Sequence, residues 1–413
     1  MVPVFFGFMG FAIDLGRLYL IRGELNTAAN AMAIAAASQL NGTDYATTAA
    51  ANAAALTLDD LYSNGVRSDG NTYNFGKVFL NTGTSFLTSN APTPFFFDTA
   101  SNALASGSGA TGGNADGTTA QYAQANITAD APLIFWAVLP GGQSRKTTIA
   151  ASAVAGLSAP LCTACDIDII GIAALDQTDT VNWGFTVNTH YTFGYSCTGA
   201  AAGTLTGDTS LISYLLINRY DTTSAISELN QLFNVGAQGI GPSTNPAQAC
   251  MTINASTDVI WATATTQACR AAAPNGSVEA MLCGLTTRLD ANAADSTYTS
   301  SCSAVGDVAT LAGNFSVDTD VTAYDDFTQY TGNNRRVLTV AVVDALSTTG
   351  TMNILGFRQF LLEPTSGLTS NNPTDGDGRF SVLYMGNPLP VKQGRWDGGC
   401  GVASGPGKVI LFQ

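Results

Sequence analysis

A single histidine, His190, serves all 413 residues of the chain. The commonest general base of enzymes therefore has one candidate, and a Ser-His-Asp triad would have to be built around it. His190 stands among Tyr191, Phe193 and Tyr195 in a strand-like stretch, which reads as a packed or hydrogen-bonded structural histidine. Charge is scarce as well. Charged residues make up 11% of the chain, against roughly 25% in soluble globular proteins. With 16 Lys and Arg against 30 Asp and Glu, the net charge is −14. That balance argues against nucleic acid and anionic lipid surfaces as partners, because phosphate binding needs clustered basic side chains. No G-x-S-x-G, phosphate-loop or dinucleotide glycine pattern falls between a strand and a helix. The sequence gives no reason to expect an enzyme, and no cofactor is implied.

Cysteine is absent from the first 161 residues and then occurs eight times, at Cys162, Cys165, Cys197, Cys250, Cys269, Cys283, Cys302 and Cys400. An even number confined to the distal part points to a disulfide-stapled domain formed in an oxidising space. Local closure would pair Cys250 with Cys269 and Cys283 with Cys302, with Cys400 tying the tail back. Cys162-Thr163-Ala164-Cys165 has the spacing of a redox pair or half a zinc site. Haem attachment is excluded because Asp166, not His, follows. Zinc would need a second ligand pair, and no other C-x-x-C exists. Structural disulfides are the leading reading.

What the chain does possess is an unusual beginning. Met1 to Ile13 carries no charge and, apart from Pro3, Gly7 and Gly10, is built of large apolar side chains and Ala. Beyond Asp14 the pattern turns helical: Leu15, Leu18, Ile21, Leu25, Ala28, Ala29, Met32 and Ala36 recur at mostly three- and four-residue steps. Arg17, Arg22 and Glu24 fall between them. Pro3 suits a first helical turn and Asn41-Gly42 a stop. About forty helical residues make a rod of roughly 60 Å, too long for the interior of one domain. The apolar run is shorter than the roughly 20 residues that cross a bilayer, and it lacks the basic start and cleavage site of a secretory signal.

Asp14-Leu15-Gly16-Arg17, Tyr19, Arg22, Glu24-Leu25 and the run from Ala28-Ala29-Asn30-Ala31 to Ala37 resemble the N-terminal signature of TadE/TadG-like proteins of bacterial tight-adherence (Flp-type) pilus systems. Asn26 and Asn30 stand where that family usually has Gln and Asp. Ala151-Ser152-Ala153-Val154-Ala155-Gly156 and Gly405-Pro406-Gly407-Lys408-Val409 are similar to TadG-type segments. Family members carry more apolar residues upstream, so a processed or shortened chain is expected. The resemblance implies a pilin-like or pilus-associated cell-surface protein and no reaction. The expectation is a structural subunit of an extracellular filament. It would leave the inner membrane and self-associate through Phe5, Phe6, Phe8, Phe11, Ile13, Asp14, Arg17, Leu18, Ile21 and Leu25, with Asp14 and Arg17 pairing together or across neighbouring helices. A membrane-anchored TadG-type assembly component is the alternative. A surface adhesin or carbohydrate-acting enzyme, using a cleft with Trp183, Trp261 or Trp396, is the alternative of another class.

The expected fold is α+β, with an assembly helix over 1–62, a β-rich module over 63–157 and a disulfide-containing mixed α/β domain over 158–413. Thr43 to Ser63 extends or repeats the helix, and Phe75 to Leu80 reads as a strand. Phe95-Phe96-Phe97 is a packed aromatic knot, and Ser101 to Thr119 an exposed low-complexity loop. Ala120 to Ala131, Leu133 to Leu139 and Lys146 to Val154 read as strands. Farther on, Ile167 to Leu175, Trp183 to Tyr195 and Ser210 to Ile217 are strand-like. Thr223 to Phe233 and pieces of Ala264 to Leu289 are helical. Arg335 to Leu346 is the clearest central strand, with Thr351 to Leu362 and Arg379 to Met385 as neighbours.

Carboxylates at Asp176, Asp179, Asp318, Asp320, Asp325, Asp326 and Asp344 read as loop acids. The stretch Leu175 to Thr180 faintly echoes the D-x-S-x-S metal loop of von Willebrand A-type domains, with Asp176, Thr178 and Thr180 as the metal candidates. Asp375 to Gly378 resembles part of a calcium loop without the remaining ligands.

Overall fold

The computed structural model of the chain describes residues 2–62, 93–105, 115–133, 135, 146–165, 167–195, 211–217, 250–257, 282, 284–286, 288–289, 317–347, 351–366, 369–370, 378–386, 389–391, 394–396 and 399–412. Two compact units divide it: Met1–Leu157 with Val409–Gln413, and Ser158–Lys408.

Alanine governs packing in the first unit. Helix α1 (Val2–Ala37) is followed by α2 (Ala46–Tyr62), then β1 (Phe95–Phe97), a short helix (Ala100–Ala105), β2 (Tyr122–Pro132) and β3 (Lys146–Leu157). Helix α1 ends where Gln39 and Leu40 tighten into single i−3 bonds and Gly42 takes a left-handed φ of 75°. The antiparallel sheet runs β1-β2-β3 and is completed by the chain's last strand, β16 in chain order (Val409–Phe412). Alternate residues Ala123, Ala125, Ile127, Ala129 and Ala131 on β2, with Ala151, Ala153 and Ala155 on β3, face Ala28, Ala29, Met32, Ala33 and Ala36 of α1. Small side chains on both surfaces let helix and sheet approach closely. On the opposite face, the Tyr122 ring lies over Gly156, where a Cβ would clash with it, and meets Phe412 edge-on at 5.2 Å.

The second unit is built around a closed barrel. Its strands are β4 (Thr163–Cys165), β5 (Ile170–Ala173), β6 (His190–Tyr195), β7 (Leu211–Leu216), β8 (Cys250–Thr252), β9 (Ser256–Thr257), β10 (Val337–Val343), β11 (Met352–Leu362), β12 (Thr365–Ser366), β13 (Thr369–Ser370), β14 (Phe380–Tyr384) and β15 (Gly394–Arg395). The order β10-β5-β7-β6-β14-β11 closes because β11 pairs back onto β10, with β9 appended to β11. The pairs β5–β10 and β6–β7 are parallel, the others antiparallel. Closure removes the open edges a sheet would otherwise expose. Inside are Ile170, Ile172, Tyr191, Phe193, Ile212, Tyr214, Leu338, Val340, Val342, Phe360, Phe380 and Tyr384. Phe360 meets Phe185 and Phe193 edge-on at 5.5 and 5.1 Å. The outer face of β10 is covered too, so every residue from Val337 to Val343 is buried, which is why that stretch reads as a continuous apolar run.

Two disulfides crosslink this unit, Cys162–Cys400 and Cys165–Cys250, the second directly across the β4–β8 pair. By the loop-entropy argument, closing loops of 85 and 238 residues is worth roughly 5 kcal/mol for each bond taken alone.

The mixed α+β class with disulfides therefore holds. The expected Cys250–Cys269 pair does not: Cys250 is bonded to Cys165, because strand pairing places them opposite each other. Nor is Cys162–Cys165 a redox pair, since each sulfur is bonded elsewhere. Cys400 does tie the tail back, to Cys162. Cys197, Cys269, Cys283 and Cys302 lie outside the described residues, as do Phe75 to Leu80, Thr223 to Phe233 and most of Ala264 to Leu289. The expected loop from Ser101 is helical as far as Ala105, with Ala103 buried under the sheet. Strand β2 stops at Pro132, and of Leu133 to Leu139 only residues 133 and 135 are described, neither of them in a strand; the rest lie outside the described residues. Of the stretch Trp183 to Tyr195, only His190 onward is strand. Trp183 and Asn188 take left-handed φ values of 55° and 56°, which a strand cannot hold.

Candidate functional site: two halves of one helix

One stripe of α1 is covered from Gly10 onward. Gly10, Asp14, Ile21, Leu25, Ala28, Ala29, Met32, Ala33, Ala36 and Ala37 are buried, at the spacing of a straight helix face. Over the second half that stripe meets the unit's own sheet and α2. Near the front it meets residue 135: the Phe135 ring presses against Gly10, and the Asp14 carboxylate accepts the Phe135 N–H at 2.9 Å. A side chain on Gly10 would collide with that ring.

The uncovered side changes character along the helix. From residue 8 to residue 20 it presents Phe8, Met9, Phe11, Ala12, Ile13, Leu15, Gly16, Tyr19 and Leu20. From Arg22 it presents Arg22, Gly23, Asn26 and Thr27, with Ile34 the one exposed large apolar residue farther along. Phe8 is 72% exposed and Tyr19 80%, whereas Ile21 and Leu25 fall to 2% and 3%. Partial burial pushes the Glu24 carboxyl above its ordinary pKa, in keeping with its place at the margin of the packed half.

The residues expected to assemble thus separate into two groups. Phe8, Phe11 and Ile13 are exposed, Leu18 is half-buried against the unit's core, and Ile21 and Leu25 are within that core. The side chains of Phe5 and Phe6 lie outside the described ones. Leu15 belongs to the exposed side and not to the buried face: counting back from Ile21 in helical steps reaches Asp14, about 100° from Leu15. Met9, Tyr19 and Leu20 complete the exposed surface, and their apolar bulk on the side away from Ile21 and Leu25 was the signal for them. The Asp14–Phe135 contact left no local trace, because it spans 121 residues of sequence. Among the described residues no helix is long and apolar enough to cross a membrane.

In the second unit the loop acids close turns. Asp176 accepts from the Thr178 N–H and hydroxyl at 2.8 and 2.7 Å, which holds its carboxyl below the ordinary range. Asp179 accepts from the N–H groups of Val181, Asn182 and Gly184, and these also lower its pKa. Thr180, the third metal candidate, turns its carbonyl to Arg358. No group of three His, Cys, Asp or Glu suited to a metal ion stands among the described residues. Asp320 collects Thr322, Tyr324 and Thr331, Asp326 caps the turn at Phe327–Gln329, and Asp344 binds Asn353. His190 lies 3.4 Å from the exposed Asp325. Trp183 is buried with the Arg358 guanidinium 5.7 Å from its ring centre, while Trp396 is 58% exposed. Trp261 lies outside the described residues. Arg358 donates to the carbonyls of Phe357, Thr180, Val181 and Ser404, so its role is to tie loops to the barrel.

Sequence reasoning also passed over the fully buried pair Asp168–Arg288. Arg288 donates at 2.6 Å to one Asp168 oxygen, while the other accepts the Thr339 N–H at 2.9 Å. Next to the barrel, Asp318 accepts from Tyr330 and from the Arg336 N–H, and Arg336 donates both terminal nitrogens to the Thr322 carbonyl. Burial pushes the neighbouring Glu363 carboxyl up to about 7, with Arg336 opposing the shift.

Comparison of the chain with protein-family models, with characterised proteins and with solved structures finds no match.

Proposed function

We propose that this protein is a structural subunit of an extracellular pilus-like filament, pilin-like in plan and resembling TadE/TadG-like proteins, that polymerises through the front half of α1. The globular units would face outward. The observation that carries this reading is the uncharged, apolar outer face from Phe8 to Leu20, which ends at Arg22.

Taking roughly 150–250 Å² for each whole large side chain, that face offers on the order of 800 Å² of apolar-residue surface. A standard protein interface takes about that much from each partner. At about 25 cal/mol per Å² the gross gain is roughly 20 kcal/mol, from which association and ordering subtract heavily. The face is one-sided, since Phe135 covers the opposite stripe at Gly10 and Asp14. A one-sided strip fits a neighbouring helix better than a span surrounded by lipid. The two disulfides support an oxidising compartment at or beyond the cell surface, reached from the inner membrane.

The test is electron microscopy of purified full-length protein as detergent is withdrawn. Wild type should form regular filaments, and Phe11→Asp with Tyr19→Asp should leave folded single particles. Wild type that stays dispersed in detergent under every condition supports the membrane-anchored assembly component instead. The adhesin or carbohydrate-acting reading would be favoured by glycan binding that Trp396→Ala abolishes.

A further inference from the structure

We propose that the Cys162–Cys400 disulfide is a redox latch for the C-terminal strand, so that oxidation in the second unit decides whether the sheet beneath α1 is complete. The two segments it joins are bonded to each other up to the point where the chain enters the first unit. Leu161 N–H donates to the Pro406 carbonyl at 3.0 Å, Ser158 N–H to the Lys408 carbonyl at 2.8 Å, and Lys408 N–H to the Ser158 hydroxyl at 2.9 Å. The next pair in that ladder is Leu157 with Val409, the first of the β3–β16 register. Gly399 and Gly401, on either side of Cys400, take φ values of 124° and 78° that side-chain-bearing residues rarely adopt. The backbone around the sulfur is thus shaped by glycines on both flanks.

Without the bond, Leu157 and Val409 are connected through roughly 250 residues of chain; with it, the covalent path shortens to about fourteen. Loop-closure entropy scales with the logarithm of that length, so the bond favours pairing of β16 by up to roughly 70-fold. What β16 delivers is specific. Val409 and Leu411 pack against the cluster that holds α1, and the Phe412 ring meets Tyr122. The Cys165–Cys250 bond ties β4 to β8, whose continuation reaches the latch where the Cys162 carbonyl accepts the Ile253 N–H, but the bond itself does not shorten the path from Leu157 to Val409, so it serves as an internal control.

The chemistry is thiol–disulfide exchange with a disulfide-bearing oxidant. The partly exposed Cys400 thiolate attacks the oxidant's disulfide, forming a mixed disulfide and releasing one of its sulfurs as thiolate. The Cys162 thiolate then attacks the Cys400 sulfur and expels the second. Two cysteine thiols lose two protons and two electrons, and the oxidant becomes a dithiol. A thiol reductant reverses both steps.

Hydrogen exchange on the full-length chain in mild detergent reads the latch within single molecules, independently of any assembly. In a Cys162→Ser/Cys400→Ser variant, amides of residues 154–157 and 409–412 should exchange at least 10-fold faster than in wild type, and amides of residues 28–37 should follow. A Cys165→Ser/Cys250→Ser variant should leave all three segments unchanged. Should either variant fail to fold, wild type is titrated with dithiothreitol while mass spectrometry follows each bond. Protection of β16 should then be lost in step with the Cys162–Cys400 bond. Unchanged protection in molecules lacking that bond, or equal loss when only Cys165–Cys250 is broken, overturns the proposal.

Discussion

The two units solve the burial problem in opposite ways. The first closes on alanine, with α1 laid against β2 and β3 through Ala28, Ala29, Ala33, Ala125, Ala129 and Ala153. The second closes on aromatic rings inside a barrel and adds a fully buried ion pair. Alanine contacts gain little area per residue, so the first unit depends on closeness over a long register. It also leaves a run of large apolar side chains at the front of α1, from Phe8 to Leu20, exposed, while Phe96 and Phe97 are buried. The second unit packs most of its described large side chains internally, Trp396 being an exposed exception. That contrast sets a barrel filled with large side chains against a helix whose front carries large apolar side chains exposed to solvent.

The contrast can be broken most forcefully in the barrel. Asp168→Ala strands the buried Arg288 and the Thr339 N–H, and should destabilise the second unit by about 3–5 kcal/mol. Denaturant unfolding followed by hydrogen exchange should show that loss in β5 and β10 and not in α1.

A pH series comes next in size. Glu363 has its folded pKa raised from 4.5 to about 7. Its proton is therefore held more tightly in the folded chain than in the unfolded one. Stability from this group is fully present below pH 4.5 and is lost as pH rises through 7, by about 3 kcal/mol. Glu363→Gln should remove that slope, so the variant gains on wild type between pH 4.5 and 7 in denaturation measurements. Asp176, Asp179 and Asp326, all held low, act in the opposite sense and lose their contribution as pH falls below about 4.

Overpacking the alanine seam should cost less. Ala33→Leu forces α1 away from β2 and β3, with an expected loss of about 1–3 kcal/mol confined to the first unit. Thermal unfolding with domain-resolved exchange checks it. The smallest effect on folding should come from the most exposed apolar position: Tyr19→Ser should change stability by no more than about 0.5 kcal/mol while weakening self-association. Sedimentation at graded detergent concentrations separates the two.

Local pattern made much of this legible. The helical period from Leu18 onward, the alternation on β2 and β3, and the unbroken apolar run at Val337 to Val343 each follow from which faces are covered. What stayed hidden depends on distance along the chain. Barrel closure joins β5 to β10 across more than 160 residues, and Asp168 finds Arg288 120 residues away. The bond from Cys165 to Cys250 spans 85 residues, and short spacing misled precisely there because strand register, not proximity in sequence, sets the partner. The candidate surface was half legible. Its apolar character was plain at Phe8 and Phe11, but the division at Arg22 emerges only when the sheet occupies one side of the helix.

Photocrosslinking tests that division most directly. A photoreactive phenylalanine derivative replacing Ile13, on the exposed apolar face, should crosslink one copy of the chain to another in material assembled from full-length protein. The same group replacing Asn26, on the exposed polar face, should not. Equal crosslinking from both positions, or crosslinks from Asn26 alone, would contradict an interface that ends at Arg22.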